Sequence, residues 1–210
     1  MSDTRNINIT DSIARVISII FHPVLMPLYG LAILFTAPTF LEYLPATVKK
    51  LLLLIVLVNN VLVPIALMPI FRNRNIISSY NLEERTERII PLVTTTILYG
   101  ASSFIIYRYQ IPSLIKYFIY SASVLIMVVT ILNFRWKLSI HAAGAGALIA
   151  VVIVLGIKML TPLTGYLVGA VVIAGLVLAS RLRLNSHTPA QVWTGLLTGF
   201  AGLILPLMLF

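Results

Sequence analysis

Apolar residues run in blocks of about twenty along most of this chain, the length an α-helix needs to cross the hydrocarbon core of a bilayer. The stretch LLLLIVLV at residues 51–58 belongs to one such block. It shows no alternation of apolar with polar residues, which sets aside a transmembrane β-barrel built of short alternating strands. Seven spans are read at about 16–40, 51–71, 90–108, 112–134, 141–160, 163–180 and 190–210. His22-Pro23 and Pro27 interrupt the first. It is therefore either a kinked helix or an interfacial piece followed by a shorter crossing, which gives six to seven spans. The fold class expected is all-α, a polytopic transmembrane helix bundle. No linker is long enough to divide it, so residues 1–210 read as a single integral membrane domain.

Composition agrees: 60% of residues are hydrophobic and 10% charged, with a mean hydropathy of +1.03. A net charge of +9 raises the question of nucleic acid, but the basic residues lie singly at span ends rather than in runs. Anionic lipid is the partner this pattern indicates. With no cysteine, disulfides and thiolate metal sites are excluded. The opening MSDTRNINITDSIAR is too long and polar for a signal peptide and is expected to stay on the chain.

Counting crossings puts the polar joints at 72–88, 135–141 and 181–188 on one membrane face. His141 and His187 stand there, each at the first turn of a span whose N-terminal N–H groups favour an anion. Arg85, Arg88, Arg135, Lys137, Arg181 and Arg183 add more cationic groups than the nearby acids can pair, and phosphate is the natural ligand for such a set. Asn81 and Glu84 have the spacing of a capping box, with Pro91 opening the next span. A short interfacial helix is expected there, with Arg85 and Arg88 on one face and Glu84 able to pair with Arg88. His22, beside a proline and outside any partner motif, reads as an interfacial side chain. The small residues AAGAGA after His141, and the Gly165/Gly169 and Gly195/Gly199 pairs, suit close helix packing. Trp136 and Trp193 read as interfacial anchors.

The segment SRLRLNSHTPAQ, residues 180–191, resembles the third motif of the type 2 phosphatidic acid phosphatase superfamily, the lipid phosphate phosphatases related to vanadium haloperoxidases. Ser180, Arg181 and His187 fit its spacing. The second motif is approached by LSIH, where Ser139 and His141 match, and the first only loosely by EERTERIIP, with Arg88 and Pro91. The resemblance covers about residues 83–210. It implies a metal-independent phosphatase, with no cofactor, acting on a lipid phosphate or diphosphate. His187 would attack phosphorus to form a phosphohistidine. His141 would protonate the leaving oxygen and then activate water. Arg181, Ser139, Ser180 and Arg85 or Arg88 would bind the phosphoryl oxygens. Gln191 stands where the family has aspartate, four residues after His187; its amide oxygen can orient the ring but supplies no charge, so a slower nucleophile is expected.

The resemblance also implies a multi-pass protein of a bacterial plasma membrane. The histidine-bearing face carries ten Lys/Arg against five on the other, which points to the cytoplasm. Many bacterial members of the family work on the opposite face, and the side is left open. The rival reading is a catalytically weak or inactive relative that binds or transports an anionic lipid or solute. Phosphatidate, phosphatidylglycerophosphate, isoprenyl diphosphate and lipid A phosphate are all substrates of the implied class.

Overall fold

A backbone polar group left bare in hydrocarbon is costly, so a chain of apolar runs must satisfy its own main chain within each segment. A computed structural model describes residues 9–80, 82 and 84–209. Among them the chain forms nine α-helices and no strand: α1 (Ile9–Ile20), α2 (Met26–Thr36), α3 (Ala46–Val56), α4 (Val63–Asn73), α5 (Ile89–Tyr107), α6 (Ser113–Asn133), α7 (Ile140–Met159), α8 (Thr164–Arg183) and α9 (Pro189–Leu209). They make up seven stretches long and apolar enough to cross a membrane, so this is an all-α multi-pass bundle. Side chains such as Ile97, Phe104, Val168 and Leu205 are exposed on its outer surface, as contact with lipid tails requires.

The first span is one crossing broken in two. At its start Asp11 pairs with Arg183 at the end of α8, at 2.8 Å. At its far end the Thr36 carbonyl accepts from the Tyr166 hydroxyl near the start of α8, at 2.7 Å. α1 and α2 together therefore run the length of α8, antiparallel to it. The break follows from Pro23, which has no N–H to give and forces His22 into an extended conformation (φ −66°, ψ 137°). The carbonyls freed at the end of α1 find side-chain donors: Ile20 accepts from the Tyr29 hydroxyl at 2.7 Å, and Ser18 from the His141 ring at 3.2 Å.

The second span is also irregular. Between α3 and α4 the helix widens into a π turn, Leu57–Leu62, directly before Pro64. A proline clashes with the carbonyl four residues earlier, and the wider turn accommodates it. The turn buries Asn60, whose Oδ1 accepts from the Ser102 hydroxyl of α5 at 2.6 Å. Further hydroxyl pairs, Thr96 with Thr130 at 2.8 Å and Ser103 with Ser123 at 2.7 Å, tie α5 to α6. Such bonds hold helices together where lipid tails, as apolar as leucine, supply little drive for association.

α7 lies at the centre, packed against α2, α8 and, most extensively, α9. Backbone meets backbone there. A Cβ added to Gly199 would collide with the Ala143 carbonyl oxygen, one on Gly195 with that of Ser139, and one on Gly146 with that of Leu196. Gly165 and Gly169, at the same spacing on α8, have open space where a side chain would go. That pair makes no close crossing.

The joint after α4 departs from expectation as well. Among its described residues it contains a short 3-10 turn, Thr86–Arg88, in place of the expected interfacial helix. Pro91 falls at the third position of α5 rather than the first. Asn81 lies outside the described residues, and among those described Glu84 makes no ion pair with Arg88.

Gly199→Ala is expected to destabilise the bundle by about 1–3 kcal/mol, because the added methyl has no room between two main chains. Gly169→Ala should leave stability unchanged or raise it, by up to about 1 kcal/mol of helix propensity. Unfolding of both variants in detergent checks the contrast; equal effects would count against the close crossing.

Candidate active site

The last turn of α8 decides how Arg181 and His187 meet. Asn185 takes up the left-handed conformation (φ 50°), which asparagine tolerates better than most residues. The Asn185 N–H then donates to the Leu182 carbonyl at 3.0 Å and the Ser186 N–H to that of Arg181 at 3.2 Å, reversing the chain in a Schellman turn. Thr188 and Pro189 open α9 immediately afterwards. The Gln191 N–H donates to the Thr188 hydroxyl at 3.4 Å, and the Thr188 N–H donates back to Gln191 Oε1 at 3.2 Å. This is a capping box, and it fixes the amide: the atom facing a main-chain N–H must be the oxygen.

The same Oε1 lies 3.1 Å from His187 Nδ1. An amide oxygen only accepts, so Nδ1 carries the proton and Nε2 keeps its lone pair. The tautomer a nucleophilic histidine needs is thus set by helix capping.

α7 begins beside it. Ser139 caps α7, its hydroxyl accepting from the Ala142 N–H at 3.4 Å, and its own N–H donates to the Gln191 carbonyl at 3.0 Å. Two residues on, His141 donates Nε2–H to the Ser18 carbonyl, which leaves Nδ1 unprotonated in the neutral ring.

His22, His141, His187, Arg88 and Arg181 line one chamber of about 670 Å³. Among the described residues no carboxylate lines it or comes within ion-pair distance of either arginine. Arg88 is 7% exposed and spends its Nε on the Leu82 carbonyl at 2.7 Å. Arg181 reaches the Ser18 hydroxyl at 3.4 Å through Nη1, and its buried Nε has no partner among the described residues. Two guanidiniums facing one hollow without a described acid give it a positive potential that favours an anion. His187, 8% exposed, is pushed down from an ordinary value near 6.5 to about 4. Burial is the main cause, reinforced by Arg88 and then by Arg181 and Lys137, while the bond to Gln191 opposes it. The ring is neutral at physiological pH.

The residues read from sequence divide in two. His141, His187, Arg88 and Arg181 come together in the chamber, and Gln191 holds His187 from behind. Ser139, Ser180 and Arg85 do not line it. Ser139 is fully buried as a helix cap. Ser180 donates to the Leu176 carbonyl within its own helix at 2.7 Å. Arg85 is drawn onto the Phe134 and Asn133 carbonyls at the end of α6, where Asn133 Nδ2 returns a bond to the Arg85 carbonyl at 3.2 Å. His22 enters the chamber instead. Its signal in the sequence was the proline after it, which marks where the first span opens. The chain matches no protein-family model, no curated protein and no solved structure.

A histidine held neutral in the folded state binds fewer protons than in the unfolded chain between its two pKa values. Stability carried by His187 should therefore fall as pH drops from 6.5 to about 4 and level off below. His187→Gln should flatten that part of the thermal-midpoint profile; an unchanged slope would contradict the assignment.

Proposed function

We propose that this protein is a metal-independent membrane phosphatase that hydrolyses a lipid phosphate or diphosphate through a phosphohistidine. One observation carries the reading: a neutral histidine with its Nε2 lone pair free shares a chamber with a second histidine and two arginines that have no described acid to pair with. The sequence resemblance of residues 180–191 and of Ser139 and His141 points the same way.

The proposed steps use the tautomers given above. Arg88 and Arg181 hold the non-bridging oxygens. His187 Nε2 attacks phosphorus; the N–P bond forms as the P–O bond to the lipid breaks. A phosphate monoester has its second pKa near 6 (roughly), so part of it arrives with a proton. His141 Nδ1 takes up that proton and returns it to the leaving oxygen, the Ser18 carbonyl steadying the transient imidazolium through Nε2–H. In the second half Nδ1 removes a proton from water, whose oxygen attacks phosphorus. The N–P bond breaks, His141 passes the proton to an oxygen of the departing inorganic phosphate, and both histidines are again neutral. The arginines stabilise the charge spread over the equatorial oxygens in both halves.

A lipid substrate is supported by the rest of the chamber. Away from the cations its wall consists of residues such as Val24, Leu25, Pro64, Ile65, Met68 and Phe71. Ile65 is 55% exposed and so stands at the bundle surface where acyl or prenyl chains lie. Phosphatidate, phosphatidylglycerophosphate, an isoprenyl diphosphate and lipid A phosphate all have this combination of anionic head and apolar tail.

Purified protein in detergent with EDTA is expected to release phosphate from dioctanoyl phosphatidate, and vanadate to suppress the release. His187→Ala and His141→Ala should each cut turnover by about a thousandfold or more without loss of fold. Full turnover by His187→Ala would dismiss the phosphatase reading.

Gln191 favours a second reading, in which the chamber binds an anionic lipid and turns it over slowly or not at all, because an amide gives the His187 ring no charge. Gln191→Glu separates the two. Glutamate keeps the capping box, adds the missing charge, and should raise kcat by about tenfold or more if phosphoryl transfer to His187 limits the rate. Tight binding of phosphatidate with no turnover in either form supports the binding protein.

A further inference from the structure

We propose that His22 is a third anion-binding histidine of the chamber, presenting its Nε2–H to a phosphoryl oxygen alongside Arg88 and Arg181. The inference rests on the reading of the chamber as a phosphate site and adds to it a ligand from the first span, outside the motif-bearing region.

Three observations converge on this residue. Its ring lines the chamber together with His141, His187 and both arginines. The two rings His22 and His141 meet edge to face, with centroids 5.2 Å apart and planes at 83°. Finally, Nδ1 accepts the Val24 N–H at 3.3 Å. In the neutral ring that bond puts the proton on Nε2, which has no partner among the described residues. A donor locked in one tautomer beside two arginines is pre-organised for an oxygen of the same anion.

The chain geometry explains why the ring is available. Within a continuous helix a side chain at this point would lie along the helix surface; here Pro23 stops α1 and leaves His22 extended. The last turn of α1 is bound into the site at two further atoms, the Ser18 carbonyl to His141 and the Ser18 hydroxyl to Arg181. His22 is thus held against the cations by its neighbours in sequence.

Binding separates this proposal from the hydrolase reading. In a His187→Ala background, which stops turnover, the dissociation constants of dihexanoyl phosphatidate and of inorganic phosphate are measured by titration calorimetry on the full chain. Adding His22→Phe keeps a ring of similar shape and removes the donor. It should weaken both probes by about tenfold, the worth of a hydrogen bond to a charged group. Adding His22→Gln keeps an N–H at similar reach and should stay within about threefold of the parent by the same reasoning. Undiminished binding in the Phe variant overturns the proposal. So does equal weakening in the Gln variant, since the shape of the broken span and not the donor would then matter. A parent that binds neither probe overturns it too, whereas failure of the wild-type chain to release phosphate removes only the hydrolase reading.

Discussion

The site depends on two helices touching main chain to main chain. α7 and α9 meet at Gly146, Gly195 and Gly199, where no side chain fits between them. In a bilayer such contact relies on dispersion and on whatever polar groups can pair, because burying leucine against leucine gains little over burying it against lipid. Here the polar contribution is the Ser139 N–H to the Gln191 carbonyl. Ser139 stands two residues before His141 and Gln191 four after His187. Gln191 joins α9 to α7 with its main chain while its side chain caps α9 and orients His187. The register of the crossing and the tautomer of His187 are therefore set by the same residue.

On this frame the fold assembles charge that it does not neutralise. Arg88 and Arg181 face a shared hollow without a described carboxylate, and the sole ion pair among the described residues, Asp11 with Arg183, lies elsewhere on α8. Withdrawing a charge from water without a partner is unfavourable, and a chain selected for stability alone would have no reason to do it twice in one cavity. Carbonyls relieve part of the cost, as Leu82 does for Arg88. The buried Nε of Arg181 has no such relief among the described residues.

Much of this was legible in the sequence, for identifiable reasons. Span lengths follow from bilayer thickness, and parity of crossings then puts three distant joints on one face, so the meeting of His141, His187 and Arg181 followed from counting. Residue type did not reveal which polar atoms the backbone would claim. Ser139 and Ser180 fit the motif spacing, but a hydroxyl at a helix start caps it, and one inside a helix bonds the carbonyl a turn back. Arg85 was taken by the exposed carbonyls at the end of α6. Gly165 and Gly169 repeat the spacing of Gly195 and Gly199 without a neighbour, because spacing marks a surface that helices can share and not which helix shares it. His22 was read as an interfacial side chain and is indeed exposed, but nothing in a one-dimensional pattern shows that a prolyl break also brings that imidazole to the chamber.

The broken first span bears on how the protein comes into being. Its residues are made before those of α7, α8 and α9, yet they complete a surface that those later helices build. Until α7 and α8 have been made, the early segment lacks the helices it docks against. The walls of the chamber are thus made apart, and the hollow exists only once the first span has found the helices that follow it so much later in the chain.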